Sequence, residues 1–282
     1  MLKADGSGSQ ELLLDELCSV VSAAAAAILA ARKQPLKTHT KPDQSPVTAA
    51  DHASEGVILE ALSRLLPGVP VVSEEAAAKA PLSKELPDSF VLVDPLDGTR
   101  ELLAGRDEFT INLAVVNSGA PSLGIVAAPA RGVLWRGVVG RGAERLALAA
   151  GAPASAASSR ARIHTRAARR SGLVAAVSRS HLDSRTAALL GRLPVVRKLP
   201  CGSALKFGQL AEGKADVYPR LSTTCEWDVA AGHAVLAAAG GVVTTPEGGA
   251  LSYGQWDKDF RVAGFIAWGD PAAAGPLGDR LR

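Results

Sequence analysis

The segment Val93–Thr99, VDPLDGT, ends an apolar run in one aspartate, turns at a proline and offers a second aspartate followed by Gly and Thr. Asp94 and Asp97 are therefore two carboxylates at a strand end, separated by a bend. Pro95 restricts the backbone, Gly98 permits a tight approach, and Thr99 opens a short helical stretch whose free N–H groups can meet a phosphate oxygen. Taken alone, such a pair reads sooner as turn and capping residues.

Three further acidic positions change that weighing. Glu74 and Glu75 follow the strand-like run VPVVS, so at least one acid stands at a second strand end, where sites of α/β folds gather. Asp228 opens an Ala-rich helix in EWDVAAGHAVLAAAGG, and Asp51 follows Thr48 by three residues, as in a capping box. Each has a structural role open to it. Together they supply hard oxygen donors without a histidine or cysteine cluster, a set suited to Mg²⁺ rather than zinc or copper. Magnesium shares its coordination with water and substrate phosphate, so the inventory points to phosphoryl chemistry.

The elements that must carry these residues read as mixed α/β. A helix is expected over residues 11–33, and PLKTHTKPDQSPVT reads as a loop. A second helix runs from Thr48 through Leu66 with Ile58, Leu62, Leu65 and Leu66 on one face. Strand-like runs follow at 69–73 and 90–94, then at FTINLAVVN, SLGIVAAP and VLWRGVV, in the manner of a meander. The Ala/Ser/Gly/Arg stretch from Arg141 to Ser171 reads as a surface connection, and a domain boundary is placed near 160. The expected parts are an α+β metal-binding domain over 1–160 and an α/β domain over 161–282 that contributes Asp228 and substrate contacts. In the second part GLVAAVS, VVRKL, ADVYP, GVVTT and VAGFIAWG alternate with helices near 182–192, 203–212 and 228–239.

The chain has 282 residues, 47% of them hydrophobic, and a formal net charge of +3. That charge conceals an asymmetry: residues 158–220 hold thirteen Lys or Arg against three Asp or Glu, so the remainder is net acidic. A region able to hold cations is thus joined to one able to hold anions. Only 4% of residues are aromatic, too few beside the cations for the base-stacking platforms of a nucleic-acid-binding protein. Cys18, Cys201 and Cys225 form neither a disulfide framework nor a CxxC pair. The apolar run Leu17–Ala31 is shorter than the roughly 20 residues of a membrane span, and acids precede it. No transmembrane segment and a cytoplasmic location are expected, with peripheral contact to the inner membrane face left open; the expected assembly is a monomer or homodimer.

With SEE at 73–75, DPLDGT at 94–99, WDVAAG at 227–232 and TAAD at 48–51, the sequence resembles the inositol monophosphatase superfamily from about residue 11 to 268. Within it, DPLDGTRE, EFTIN, SRSHLD, GSALKFGQLAEGKADVYPR and EWDVAAGHAVLAAAGG are similar to the bacterial 3'(2'),5'-bisphosphate nucleotidase branch; DFRVAGF, near Asp259, departs from its pattern. The resemblance implies a layered αβαβα fold and lithium-sensitive, Mg²⁺-dependent removal of the 3'-phosphate from adenosine 3',5'-bisphosphate in sulfur metabolism. Inositol monophosphate, histidinol phosphate and fructose bisphosphate are the alternative substrates.

It further implies Glu74, Asp94, the Leu96 carbonyl, Asp97 and Asp228 as ligands of two Mg²⁺ ions, Asp94 bridging them. Asp97 and Asp228 would hold the ion near the leaving oxygen, and Glu74 with Leu96 the one that carries the attacking water. Thr99 and Glu74 would orient that water, while Asp51 polarises Thr99 or helps hold a third, weaker ion. Besides these, Gly98 and Thr99 would hold the transferred phosphate, and Gly202, Ser203 and Lys206, with Arg220 behind them, the nucleotide.

Overall fold

The computed structural model describes residues 7–36, 38–40, 46–79, 85–169, 171–180 and 182–274. Two long helices, α1 (Ser7–Arg32) and α2 (Ala49–Leu65), pack on each other and on one face of a seven-stranded sheet. Between them Thr38–Thr40 (β1) pairs antiparallel with Pro46–Thr48 (β2), a short ribbon in a stretch that the sequence reads as loop; residues 37 and 41–45 lie outside the described residues. The large sheet follows chain order through β3 (Val71–Ser73), β4 (Ser89–Asp97), β5 (Thr110–Asn117), β6 (Ala120–Ala128), β7 (Val133–Val138), β8 (Gly142–Ala147) and β9 (Ser159–Ile163). It is antiparallel except for β3 beside β4. A one-turn helix, α3 (Glu74–Lys79), follows β3, and another, α4 (Thr99–Leu103), follows β4.

The central strands are buried on both faces, which is why they read as continuous apolar runs rather than alternating ones. Val91, Val93, Ile111, Leu113 and Ile125 face α1 and α2, whereas Phe90, Leu92, Ala114, Val116 and Val126 face the opposite layer. That opposite layer is α7 (Glu226–Ala238) with α6 (Leu205–Ala211) beside it. Helix α7 is apolar nearly all round, as a helix between two sheets must be. Its close seating depends on small residues: a Cβ on Gly124 of β6 would lie 2.2 Å from the Ala231 carbonyl oxygen.

Beyond the middle helices lies a five-stranded sheet. It contains β10 (Leu173–Ser178), β11 (Val195–Cys201), β12 (Val217–Arg220), β14 (Val242–Thr244) and β16 (Phe265–Trp268) in the order β11-β10-β12-β16-β14. Its outer face carries α5 (Ser184–Arg192) and α8 (Pro271–Ala274), and a separate ribbon joins β13 (Thr224–Cys225) to β15 (Arg261–Val262). The layers are helix, sheet, helix, sheet, helix, the αβαβα order that the resemblance implies. The chain crosses from one sheet to the other between Ile163 and Leu173, but the middle apolar cluster draws on both parts, from Val72 to Ala267.

One sequence expectation is corrected here. Residues 141–171 are not a loose connection: they supply β8 and β9, and the turn between is tied to α1. There the Gly151 amide donates to the Ser22 carbonyl and the Ala154 amide to Ser19 Oγ. Composition misleads here because serines on a different element satisfy the backbone. The N-terminal helix expected over 11–33 is α1, and its part Glu11–Arg32 is long and apolar enough to cross a bilayer by length and composition. Its side chains Leu17, Cys18, Val21 and Ile28 are instead buried against α2 and the large sheet.

Candidate active site

Strand β4 carries the acids to the end of the large sheet. Asp94 still pairs with Asn112 in the β4–β5 ladder, the ladder then shifts, and pairing resumes at Asp97 with Thr110. The displaced Pro95–Leu96 segment is the bend that separates the two carboxylates, and Ser54 of α2 pins it by donating to the Pro95 carbonyl at 2.7 Å. Gly98 then adopts φ 99°, open to glycine and strained for other residues. A Cβ there would lie 2.3 Å from Ser203 Oγ.

Asp51 fills both roles that its position in the sequence left open. Its Oδ2 accepts from the Thr48 amide at 2.8 Å and the Thr48 hydroxyl at 2.7 Å, completing the capping box of α2. Its Oδ1 accepts from Thr99 Oγ1 at 2.9 Å. With its proton given to a buried carboxylate, the Thr99 oxygen keeps its lone pairs for an incoming donor. Asp228 is similar: the Thr224 hydroxyl and the Cys225 amide both donate to Oδ2, which caps α7, and neither bond uses Oδ1.

Asp94 sits where Glu74, Asp97 and Asp228 converge. Burial first, and then the charges of Glu74, Asp97 and Asp228, push its carboxyl well above the ordinary range; a hydrogen bond with Glu74 adds to this. Asp97 is pushed up to about 6 by burial and by Asp228, against the opposing pull of Lys206 and Arg220. Among the described residues no three His, Cys, Asp or Glu already form a set that holds a metal by itself. The site nonetheless fits Mg²⁺, which takes a few carboxylates and completes its shell with water and phosphate. Its donors are hard oxygens, their mutual repulsion is what a divalent cation relieves, and the amide of Asn112, fully buried and the ladder partner of Asp94, has no hydrogen-bond partner on either atom.

Asp97 opens onto a cleft of about 720 Å³ whose walls include Gly98, Arg100, Ser178, Gly202, Ser203, Lys206, Tyr218 and Arg220. Gly202 and Ser203, expected as nucleotide contacts, form the turn ahead of α6, not its first helical residues. Lys206 differs from the free cation that the sequence suggests. Only 3% exposed, it donates to the Ser203 carbonyl at 2.6 Å and the Cys201 carbonyl at 3.3 Å, with its ammonium 5.1 Å from the Tyr218 ring centre. Arg220 is the less committed cation: its Nε is buried without a hydrogen-bond partner, and its charge is felt by Asp97 and Asp228.

Most of the basic 158–220 stretch does not reach the cleft. Arg166 forks onto Asp216 at 2.7 and 2.8 Å, Arg179 onto Glu108, and Arg160 stands 3.4 Å from Asp15. His181, within the SRSHLD motif, lies outside the described residues. Sequence reasoning missed Glu55, which accepts from Ser73 Oγ at 2.6 Å and the Ala76 amide at 3.1 Å and so fixes the strand end that carries Glu74. The available signal was its spacing, one helical turn after Asp51 on α2.

A fold of this layering, with an acidic cluster closing a strand–turn–helix and a helix start, defines a class of phosphatases, and the inositol monophosphatase family model matches residues 9–270. The chain belongs to that family, whose members are metal-dependent phosphatases. It is similar to the 3'(2'),5'-bisphosphate nucleotidase CysQ of Escherichia coli K12, 39% identical over 86% of this chain and 94% of the relative. The CysQ of Buchnera aphidicola is 34% identical over 90% and 93%. The crystal structure of CysQ from Bacteroides thetaiotaomicron, described as a bacterial member of the inositol monophosphatase family, superposes with a TM-score of 0.74 at 31% identity, covering 92% of this chain and 97% of that one.

Proposed function

We propose that the chain is a Mg²⁺-dependent 3'(2'),5'-bisphosphate nucleotidase that converts adenosine 3',5'-bisphosphate to AMP and phosphate. The observation that carries this reading is the convergence of Glu74, Asp94, Asp97 and Asp228, acids from three separated segments, beside a cleft where Asp97 meets the cations Arg100, Lys206 and Arg220. The acids suit a cation-assisted transfer, and the cations suit a second phosphate. Likeness to CysQ supplies the nucleotide.

Glu74, Asp94, the Leu96 carbonyl, Asp97 and Asp228 hold the magnesium. Once bound, it eases deprotonation of water, neutralises phosphate oxygens and steadies the leaving oxygen. Thr99 donates its own hydroxyl hydrogen bond to Asp51, which leaves its oxygen to accept a hydrogen bond from the attacking water and orient it for in-line displacement. The free N–H groups of Gly98 and Thr99, at the start of α4, meet the transferred phosphate. Arg220 takes the second phosphate, and Lys206, tied into its turn, adds charge behind it.

Phosphate release across adenosine 3',5'-bisphosphate, AMP and inositol 1-phosphate, with Mg²⁺ and with a chelator, tests the reading. The bisphosphate is hydrolysed fastest, only with Mg²⁺, and AMP accumulates. Preference for inositol 1-phosphate would refute the nucleotide assignment and leave the metal chemistry standing. Asp97→Asn and Asp228→Asn each reduce turnover by at least ~100-fold while leaving a folded chain, because each removes a ligand charge where the leaving oxygen develops.

A further inference from the structure

The turn that carries Ser203 and leads into Lys206 is docked onto the acidic loop through one residue outside the catalytic set. Glu108, on the connection ahead of β5, accepts from the Gly202 amide at 3.0 Å with Oε2. The same oxygen accepts from Arg179 Nε at 2.7 Å, while Oε1 accepts from a second Arg179 nitrogen at 2.8 Å and from Arg131 at 3.1 Å. Its carbonyl shares the Ser203 hydroxyl proton with the Asp97 carbonyl, both at 2.9 Å. The fit is close: a Cβ on Gly202 would stand 2.6 Å from the Glu108 carbonyl oxygen. Ser203 itself sits at φ 48°, a conformation that persists only where the surroundings hold it.

The two loops joined there are not equally anchored. Asp97 is paired with Thr110 in the sheet, the Gly98 carbonyl accepts from Leu102, and Thr99 is held by Asp51. The 202–204 turn has the contacts to Glu108 and Asp97 and a 3.3 Å bond from the Ala204 amide to Thr110, while the 2.6 Å bond from Lys206 Nζ to the Ser203 carbonyl ties turn and cation to each other rather than to the sheet. Loosening Glu108 therefore displaces the turn and the cation behind it, while Asp97–Thr99 stays with the sheet.

We propose that Glu108, gripped by Arg179 and Arg131, is a positioning residue that registers the Gly202–Ser203 turn against Asp97–Gly98 and so fixes the reach between the transferred phosphate and the cations that hold the substrate's second phosphate. This rests on the bisphosphate reading given above. An ion pair serving stability alone would change kcat and KM together, or neither. A spacer changes KM for the substrate that spans the cleft.

The test uses the full chain with saturating Mg²⁺, comparing Glu108→Gln and Arg179→Gln with the wild type on adenosine 3',5'-bisphosphate and on p-nitrophenyl phosphate, which has no second phosphate. Expected are a rise of about tenfold or more in KM for the bisphosphate, with kcat for both substrates within about threefold, the signature of lost binding rather than lost transition-state contact. Hydrogen exchange becomes faster over residues 201–207 and stays unchanged over 94–103. Glu108→Ala exceeds Glu108→Gln, since the amide oxygen still accepts one bond. Should Glu108→Ala fail to fold, Arg179→Gln, on the exposed side of the pair, still reads the effect.

An unmoved KM in both variants, or equal loss on both substrates with faster exchange over 94–103, overturns the proposal. A wild type that prefers inositol 1-phosphate refutes the nucleotide reading first and this inference with it; a wild type that prefers the bisphosphate, with KM unmoved in the variants, refutes only the inference.

Discussion

Thr99 shows how the site divides labour within a few ångströms. Its hydroxyl proton is committed to Asp51 at 2.9 Å, so its catalytic contribution is an aimed lone pair. Thr99→Ala therefore lowers kcat by about 100-fold while the Mg²⁺ concentration for half-maximal activity changes little, because general-base and orienting roles are worth factors of this size. Thr99→Ser recovers part of the loss. Equal damage from both substitutions, in steady-state assays titrated with Mg²⁺, would make the methyl group's packing the relevant property instead. The capping box at Thr48–Asp51 was visible from spacing alone, as was the acidic bend at 94–97. The bond between Thr99 and Asp51 was not, because 48 residues separate them and no local rule links the start of α4 to the start of α2.

Helix α7 delivers Asp228 to the acids of β4 because the sheet beneath it is cut away. Gly124 and Gly137 leave room for the helix backbone, and a Cβ on Gly137 would lie 2.7 Å from that of Ala238. Gly124→Ala forces helix and sheet apart and destabilises the chain by about 3 kcal/mol, the upper range for overpacking, because the obstructing atom is a backbone carbonyl that cannot rotate aside. Urea unfolding measures this; a loss below about 1 kcal/mol would show that α7 can shift without cost. Gly124 and Gly137 were legible in the sequence only as members of the strand-like runs SLGIVAAP and VLWRGVV. Their use as a helix seat was not, since it depends on which layer covers the sheet.

The whole molecule keeps its acidic centre at a cost in stability that the metal offsets. Burial and Asp228 raise Asp97 to about 6, above the value near 3.9 of an unfolded aspartate. A group raised in the fold contributes stability below its unfolded pKa and loses it as pH rises through the folded one. The metal-free chain thus carries its largest electrostatic strain above about pH 6, where Asp97 and its neighbours are charged together. Saturating Mg²⁺ raises Tm by about 5 °C at pH 7.5, corresponding to about 2.7 kcal/mol at a hundred times Kd, and by clearly less at pH 5. His233, which burial holds neutral down to about 4, is uncharged at both pH values and does not enter the difference. Calorimetric scans at both pH values check this, and an equal gain at each would remove the repulsion account.

The sequence alone determined the kind of chemistry, because hard oxygen donors at strand ends and helix starts are local features that survive without coordinates. Asp51, Asp94, Asp97 and Asp228, with one of Glu74 and Glu75, are the candidates those features single out, and the resemblance adds their roles and that of Thr99. It also determined most elements, since continuous apolar strands and an apolar Ala-rich helix announce buried layers. Only the tertiary structure decided where the charges go. Within the Arg-rich stretch, Arg179 is paired with Glu108 and Arg166 with Asp216, far along the chain, and Lys206 became a brace within its own turn. Charge acts through space, and the distance between two side chains is fixed by packing of the layers and not by their separation along the chain.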